Sequence, residues 1–135
     1  MTSAKVERIT VDGELIAILI PVNYEKDGIE FFTPDEFSQQ IAYMKHPAGK
    51  SIPAHMHNNI PREVFYTLET LFIKSGKVQV DFYDTQKQFI CKRVLSTGDT
   101  LFLASGGHGF TMLEETEMIE VKQGPYGGDQ DKVRF

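Results

Sequence analysis

The sequence lacks the features that would place it among nucleic-acid-binding, secreted or membrane-spanning chains. Fourteen basic residues stand against nineteen acidic ones, for a net charge of −5. No basic stripe interrupts that balance, so nucleic acid is not an expected partner. A single cysteine, Cys91, cannot close an internal disulfide and fits a reducing compartment. The longest apolar run of the N-terminal region, Leu15 to Ile20, is six residues and falls far short of a bilayer span. Lys5, Glu7, Arg8, Asp12 and Glu14 spoil a signal-peptide reading of the same region. The expectation is a soluble, cytoplasmic protein with no membrane partner. Sustained helical periodicity, internal repeats and low-complexity tracts are missing too. A chain of 135 residues is expected to form one domain and to bury about two-thirds of its unfolded surface.

What is present is a series of short strands punctuated by turns. Val6 to Val11 and Leu15 to Pro21 flank Asp12-Gly13, a strong hairpin dipeptide. Leu15 to Ile20 is apolar on both faces, which calls for cover on both sides: the core on one and a second subunit on the other. Thr33-Pro34-Asp35-Glu36 has the form of a capping box and predicts a single helical turn. Gln39 to Met44 and Glu63 to Lys74 read as strands. Val78, Val80 and Phe82 alternate with Lys77, Gln79 and Asp81, the pattern of a half-buried strand. Asp84 to Lys87 turns the chain into a strand over Gln88 to Leu95, where Cys91 reads as a small buried or half-buried thiol rather than a nucleophile. Ser96-Thr97-Gly98-Asp99 and Gly106-Gly107 separate further strands, and Thr116 to Val121 is the last before a Gly-rich tail. Many short strands without helices predict an antiparallel sandwich or barrel.

Within this pattern, His55-Met56-His57 is the most informative triplet. In an extended strand the two imidazoles point the same way and make a pair of ligands for a divalent transition metal. Two surface histidines at the end of a loop would read the same. The surroundings extend the motif. Gly49 precedes His55 by six positions, Glu69 is followed by six residues and then Gly76, and Gly98-Asp99 leads on to Gly106-Gly107-His108.

Over roughly residues 37 to 123 these elements resemble the two motifs of the cupin superfamily. The resemblance implies an all-β, antiparallel double-stranded β-helix, the jelly-roll barrel, with an N-terminal hairpin arm over 1–36 and a C-terminal tail over 124–135. It also implies a metal held by His55, His57, Glu69 and His108. Three imidazoles and one carboxylate suit Fe, Mn, Ni or Zn and leave a position open for substrate or water. Eleven residues separate His57 from Glu69, and Glu63 lies within that interval as a rival carboxylate. Glu69 is preferred because the spacing to Gly76 and the following Val78/Val80 strand match the motif's second half; if it faces inward, Leu71 and Ile73 share its face. His108 stands one residue nearer Gly98 than in the family, and Gly106, Gly107 and Gly109 offer a bulge that restores its aim.

By parity with His108, Phe110 and Met112 are expected to face inward. His46 reads as a solvent-exposed turn residue, and Arg62 and Lys74 as candidates for an anion near the mouth. The function implied is a small metalloenzyme, a dioxygenase, decarboxylase or isomerase, acting on a small organic acid or sugar-type molecule in the barrel, as a homodimer. Two alternatives stand beside it: a non-catalytic small-molecule or metal-binding module, and a metal-free sugar isomerase or epimerase with a histidine base. Family resemblance alone does not choose among them.

Overall fold

A computed structural model describes residues 4–135 and shows an all-β chain; the first three residues of the expected N-terminal arm lie outside the described residues. Ten strands follow in order: β1 Glu7–Val11, β2 Glu14–Ile20, β3 Gly28–Phe31, β4 Ala42–Lys45, β5 Glu69–Ser75, β6 Lys77–Tyr83, β7 Phe89–Ser96, β8 Thr100–Leu103, β9 Gly107–Met112 and β10 Glu117–Lys122. A 3-10 turn, Gly128–Asp131, follows them. Every strand pairing is antiparallel. Among the described residues no helix is long and apolar enough to cross a membrane. The chain divides into two compact units, one formed by the residues up to Tyr24 together with Tyr66–Phe135, the other by Glu25–Phe65.

The larger unit holds a five-stranded sheet, in the order β1-β2-β8-β5-β10, and a three-stranded sheet, β7-β6-β9. Asp12 and Gly13, both at positive φ, make the tight turn between β1 and β2 that the sequence predicts. At Asp84 the carboxylate accepts the N–H groups of Gln86 and Gln88, each at 2.9 Å, and so closes the β6–β7 turn. The chain passes from one sheet to the other at Gly76, between β5 and β6, and returns at Gly98, between β7 and β8. Asp99 secures that return. Its carboxylate accepts the Val22 N–H at 2.9 Å and the Ser96 N–H at 2.8 Å.

The two sheets enclose one apolar core. Ile9, Ala17, Leu19, Leu71, Ile73, Leu101 and Leu103 come from the five-stranded sheet; Val78, Val80, Phe82 and Leu95 come from the other. Val78, Val80 and Phe82 are fully buried while Lys77, Gln79 and Asp81 are not, as their alternation predicts. Ile16 through Leu19 are all buried. Both faces of β2 are thus covered within a single chain, and the second subunit expected to cover one of them is not needed for that burial. At one side of the unit the edge strands β1 and β7 are clasped by Glu7 and Arg93. Nε donates to Oε1 at 2.9 Å and Nη2 to Oε2 at 2.7 Å. At the other side β10 and β9 are the edge strands.

In the smaller unit β3 and β4 pair as a hairpin. Thr33 does not cap a helix. Its hydroxyl donates to Gln40 Oε1 at 2.5 Å and accepts the Ile41 N–H at 3.2 Å, and Pro34 to Phe37 close a single turn through a 3.1 Å bond. The Gln40 amide fastens this loop from inside by donating to the carbonyls of Pro34, Asp35 and Phe37. Residues 50 to 68 contain no strand, so the strand expected from Glu63 begins only at Glu69, and the His-x-His triplet does not lie on a strand. A strand forms only where a partner supplies its ladder; among the described residues this Pro-flanked segment has none.

Candidate functional site

Glu69 opens β5 and points into the larger unit. Alternation places Glu69, Leu71 and Ile73 on one face, and all three are buried. Glu63 is exposed and lies in the other unit, so of the two rival carboxylates Glu69 is the inward one. His108 reaches the same interior from the opposite sheet. It stands directly across from Phe82 on β6, and residues paired in register share a face, so His108 points inward with the fully buried Phe82. No bulge is involved. The β9–β6 register runs unbroken from Gly107 to Met112, and plain alternation alone aims the imidazole. Phe110 packs against the core and its ring lies 5.5 Å from that of His108. Met112, at the end of the strand, stays 47% exposed.

The two side chains meet between the sheets. His108 Nε2 lies 3.6 Å from Glu69 Oε2, with the imidazole 29% and the carboxylate 11% exposed. Burial acts on both in the same sense, against charge. It raises the Glu69 carboxyl above its ordinary value, aided by the negative Glu120 and opposed by Lys122. It lowers His108 below the ordinary imidazole value; Glu120 opposes this, and the Lys132 and Lys122 ammonium groups reinforce it. Neutral imidazole is the form that ligates a metal or takes a proton.

Sequence reasoning missed the residues around this pair. Lys122, the β10 partner of Glu69, places Nζ 4.0 Å from Glu69 Oε1 and 3.2 Å from Asp131 Oδ2. The Thr67 hydroxyl donates to the other oxygen of Asp131. The available signal was the alternation of β10, which sets Met118, Glu120 and Lys122 on one face, with Met118 packed against the core. Charges on the inward face of an edge strand also guard that edge against pairing with another chain.

His55 and His57 belong to the smaller unit, where both are exposed. Their ring centroids are 5.3 Å apart in an edge-to-face arrangement. The His55 Nδ1–H donates to the Pro53 carbonyl at 2.8 Å, which fixes the tautomer and leaves the Nε2 lone pair for a ligand. Of the predicted ligand set the structure therefore brings together Glu69 with His108, and His55 with His57. Among the described residues no group of three or more His, Cys, Asp or Glu side chains is gathered as a metal cluster.

The remaining candidates are placed as follows. His46 is half-buried rather than solvent-exposed, and its Nε2 is buried without a hydrogen-bond partner. Lys74 pairs with Glu117 at 3.7 Å. Arg62 lines an open groove of about 660 Å³ with Phe31, Asp35, Phe37, Ser38 and Gln40. Cys91 is a free, half-buried thiol against the core. No family model, no curated protein and no solved structure matches this chain.

Proposed function

We propose that this chain is a small metalloprotein of the cupin type, with a jelly-roll larger unit, acting on a small organic acid or sugar-type molecule at Glu69 and His108. The observation that carries the reading is the pair itself: one carboxylate and one imidazole, from opposite sheets, 3.6 Å apart, with the carboxylate 11% and the imidazole 29% exposed. The spacing lies just beyond that of neighbouring ligands of one ion. Donors about 2.1 Å from a common metal, at angles between tetrahedral and square, lie roughly 3.0 to 3.5 Å from each other. Iron, manganese, nickel or zinc, when bound, supplies Lewis acidity toward a carbonyl or carboxylate oxygen. The chain's own residues do the rest. Burial disfavours protonation of His108, Lys122 offsets the cost of an ionised Glu69, and Phe110 gives the pair an apolar neighbour.

His55 and His57 are the remaining two ligands in the cupin resemblance, and the His55 tautomer suits that role. The test is the metal content of untagged protein against His55→Ala/His57→Ala. Loss of most of the metal supports a part for this histidine pair in holding it. Equal content removes both histidines from the set.

A second reading rests on the same lowered His108: a neutral imidazole beside a protonatable carboxyl suits a histidine base working without metal. Turnover by chelator-treated protein favours it. A binding module, catalytically silent, is favoured by ligand retention without turnover. Pairing into a homodimer has its support on the outer face of β5 and β10, where Phe72, Ile119 and Val121 are exposed.

A further inference from the structure

We propose that residues 128 to 135 form a strap that closes the opening between β9 and β10 over Glu69 and His108, and that it opens without unfolding the sheets. The strap is fastened at two points, one on each sheet. At its near end Asp131 accepts from Thr67 and pairs with Lys122 of β10 at 3.2 Å. At its far end the Phe135 ring meets Tyr83 of β6 edge-to-face, with centroids 5.1 Å apart. The same ring lies over Gly107 of β9: a Cβ added there would stand 2.6 Å from Phe135 Cζ, so a larger residue would push the ring aside. Gly107 precedes His108 in β9 and, paired with Tyr83, lies on the face opposite the one that carries the imidazole.

Asp131 touches Lys122, Lys122 approaches Glu69 at 4.0 Å and Glu69 faces His108 at 3.6 Å, while Phe135 lies over Gly107 and Tyr83, so the chain between Asp131 and Phe135 passes from β10 to the outer face of β9. Residues 131 to 135 can reach about 14 Å, enough to join the two edges. Lys132, inside that span, bears electrostatically on both Glu69 and His108. The strap is also lightly held. Its 3-10 turn buries no residue, and Phe135 remains 65% exposed. Segments with few buried contacts open well below the cost of global unfolding. The ammonium of Lys87, 5.8 Å from the Phe135 ring centroid, adds a second weak contact at the far fastening.

The closure itself rests on contacts within the larger unit. Its meaning as control of ligand entry rests on the proposal that Glu69 and His108 are the site. Carbethoxylation by diethylpyrocarbonate, followed by peptide mass spectrometry, reads the two separately. It is run on the protein as purified and again after EDTA dialysis, for wild type, Phe135→Ala and Asp131→Asn. The expected result is a rate at His108 at least threefold higher in both variants, with His55 and His57 unchanged as internal references. An unchanged His108 rate overturns the strap, and so does a parallel rise at every histidine, which reports loosening of the whole fold. Metal content, measured on the same samples, decides the proposed function independently.

Discussion

His108 of β9 and Glu69 of β5 face each other across the two sheets of the larger unit, Nε2 to Oε2 at 3.6 Å, and neither is stabilised in its charged form. The Glu69 carboxyl is held above its ordinary value of 4.5, chiefly by burial. Linkage then fixes the sign. A group whose folded pKa is raised contributes stability that is present below the unfolded value and lost as pH rises through the folded value. In EDTA-stripped protein, wild type is expected to lose ground to Glu69→Gln as pH climbs from about 4 toward 8. Thermal melts at a series of pH values check this. Parallel melting-temperature profiles would show that burial does not perturb Glu69.

On the opposite side, Arg93 grips both oxygens of Glu7 and ties the edge strands β1 and β7. This pair holds Glu7 below its ordinary carboxylate value, through the hydrogen bond to Arg93 first. The contribution is therefore present above pH 4.5 and disappears as pH falls through the lower folded value. Both side chains are about 40% exposed, so solvent screening limits the coupling to about 1 kcal/mol or less. A double-mutant cycle with Glu7→Gln and Arg93→Met, by urea denaturation at neutral and acid pH, is expected to show that coupling only at neutral pH.

Gly76 turns the chain between the sheets at φ +98°, and a Cβ there would stand 2.3 Å from the Glu115 carbonyl oxygen. Backbone cannot yield as a side-chain tip can. Gly76→Ala is expected to cost about 3 kcal/mol, read as a lower urea midpoint, and to disturb Glu69 through β5. A midpoint within error of wild type would show that the corner has slack.

The contrast between the two units explains what the sequence disclosed. Val78, Val80 and Phe82 alternate because one face of β6 is core, and that is written locally in the order of residues. Asp12-Gly13 carries its own turn geometry. The preference for Glu69 over Glu63 came from the spacing to Gly76 and the strand that follows it, as the cupin resemblance implies; Glu69, Leu71 and Ile73 share one face and are buried. By contrast, the strand expected at His55 and His57 depended on a partner ladder, which no local pattern encodes. His108 needed no bulge because its parity with Phe82 is set by register with β6, again a non-local fact. Lys122 and Asp131 were illegible for the same reason: their meeting depends on the tail returning to β10.

The measurement that bears most directly on the central claim is elemental analysis by plasma mass spectrometry of untagged protein, beside Glu69→Gln and His108→Ala. The account predicts close to one transition-metal ion per wild-type chain and at least a tenfold loss in either variant, with Glu63→Gln unchanged. Wild-type protein that stays metal-free after reconstitution, or variants that retain the metal, would contradict it.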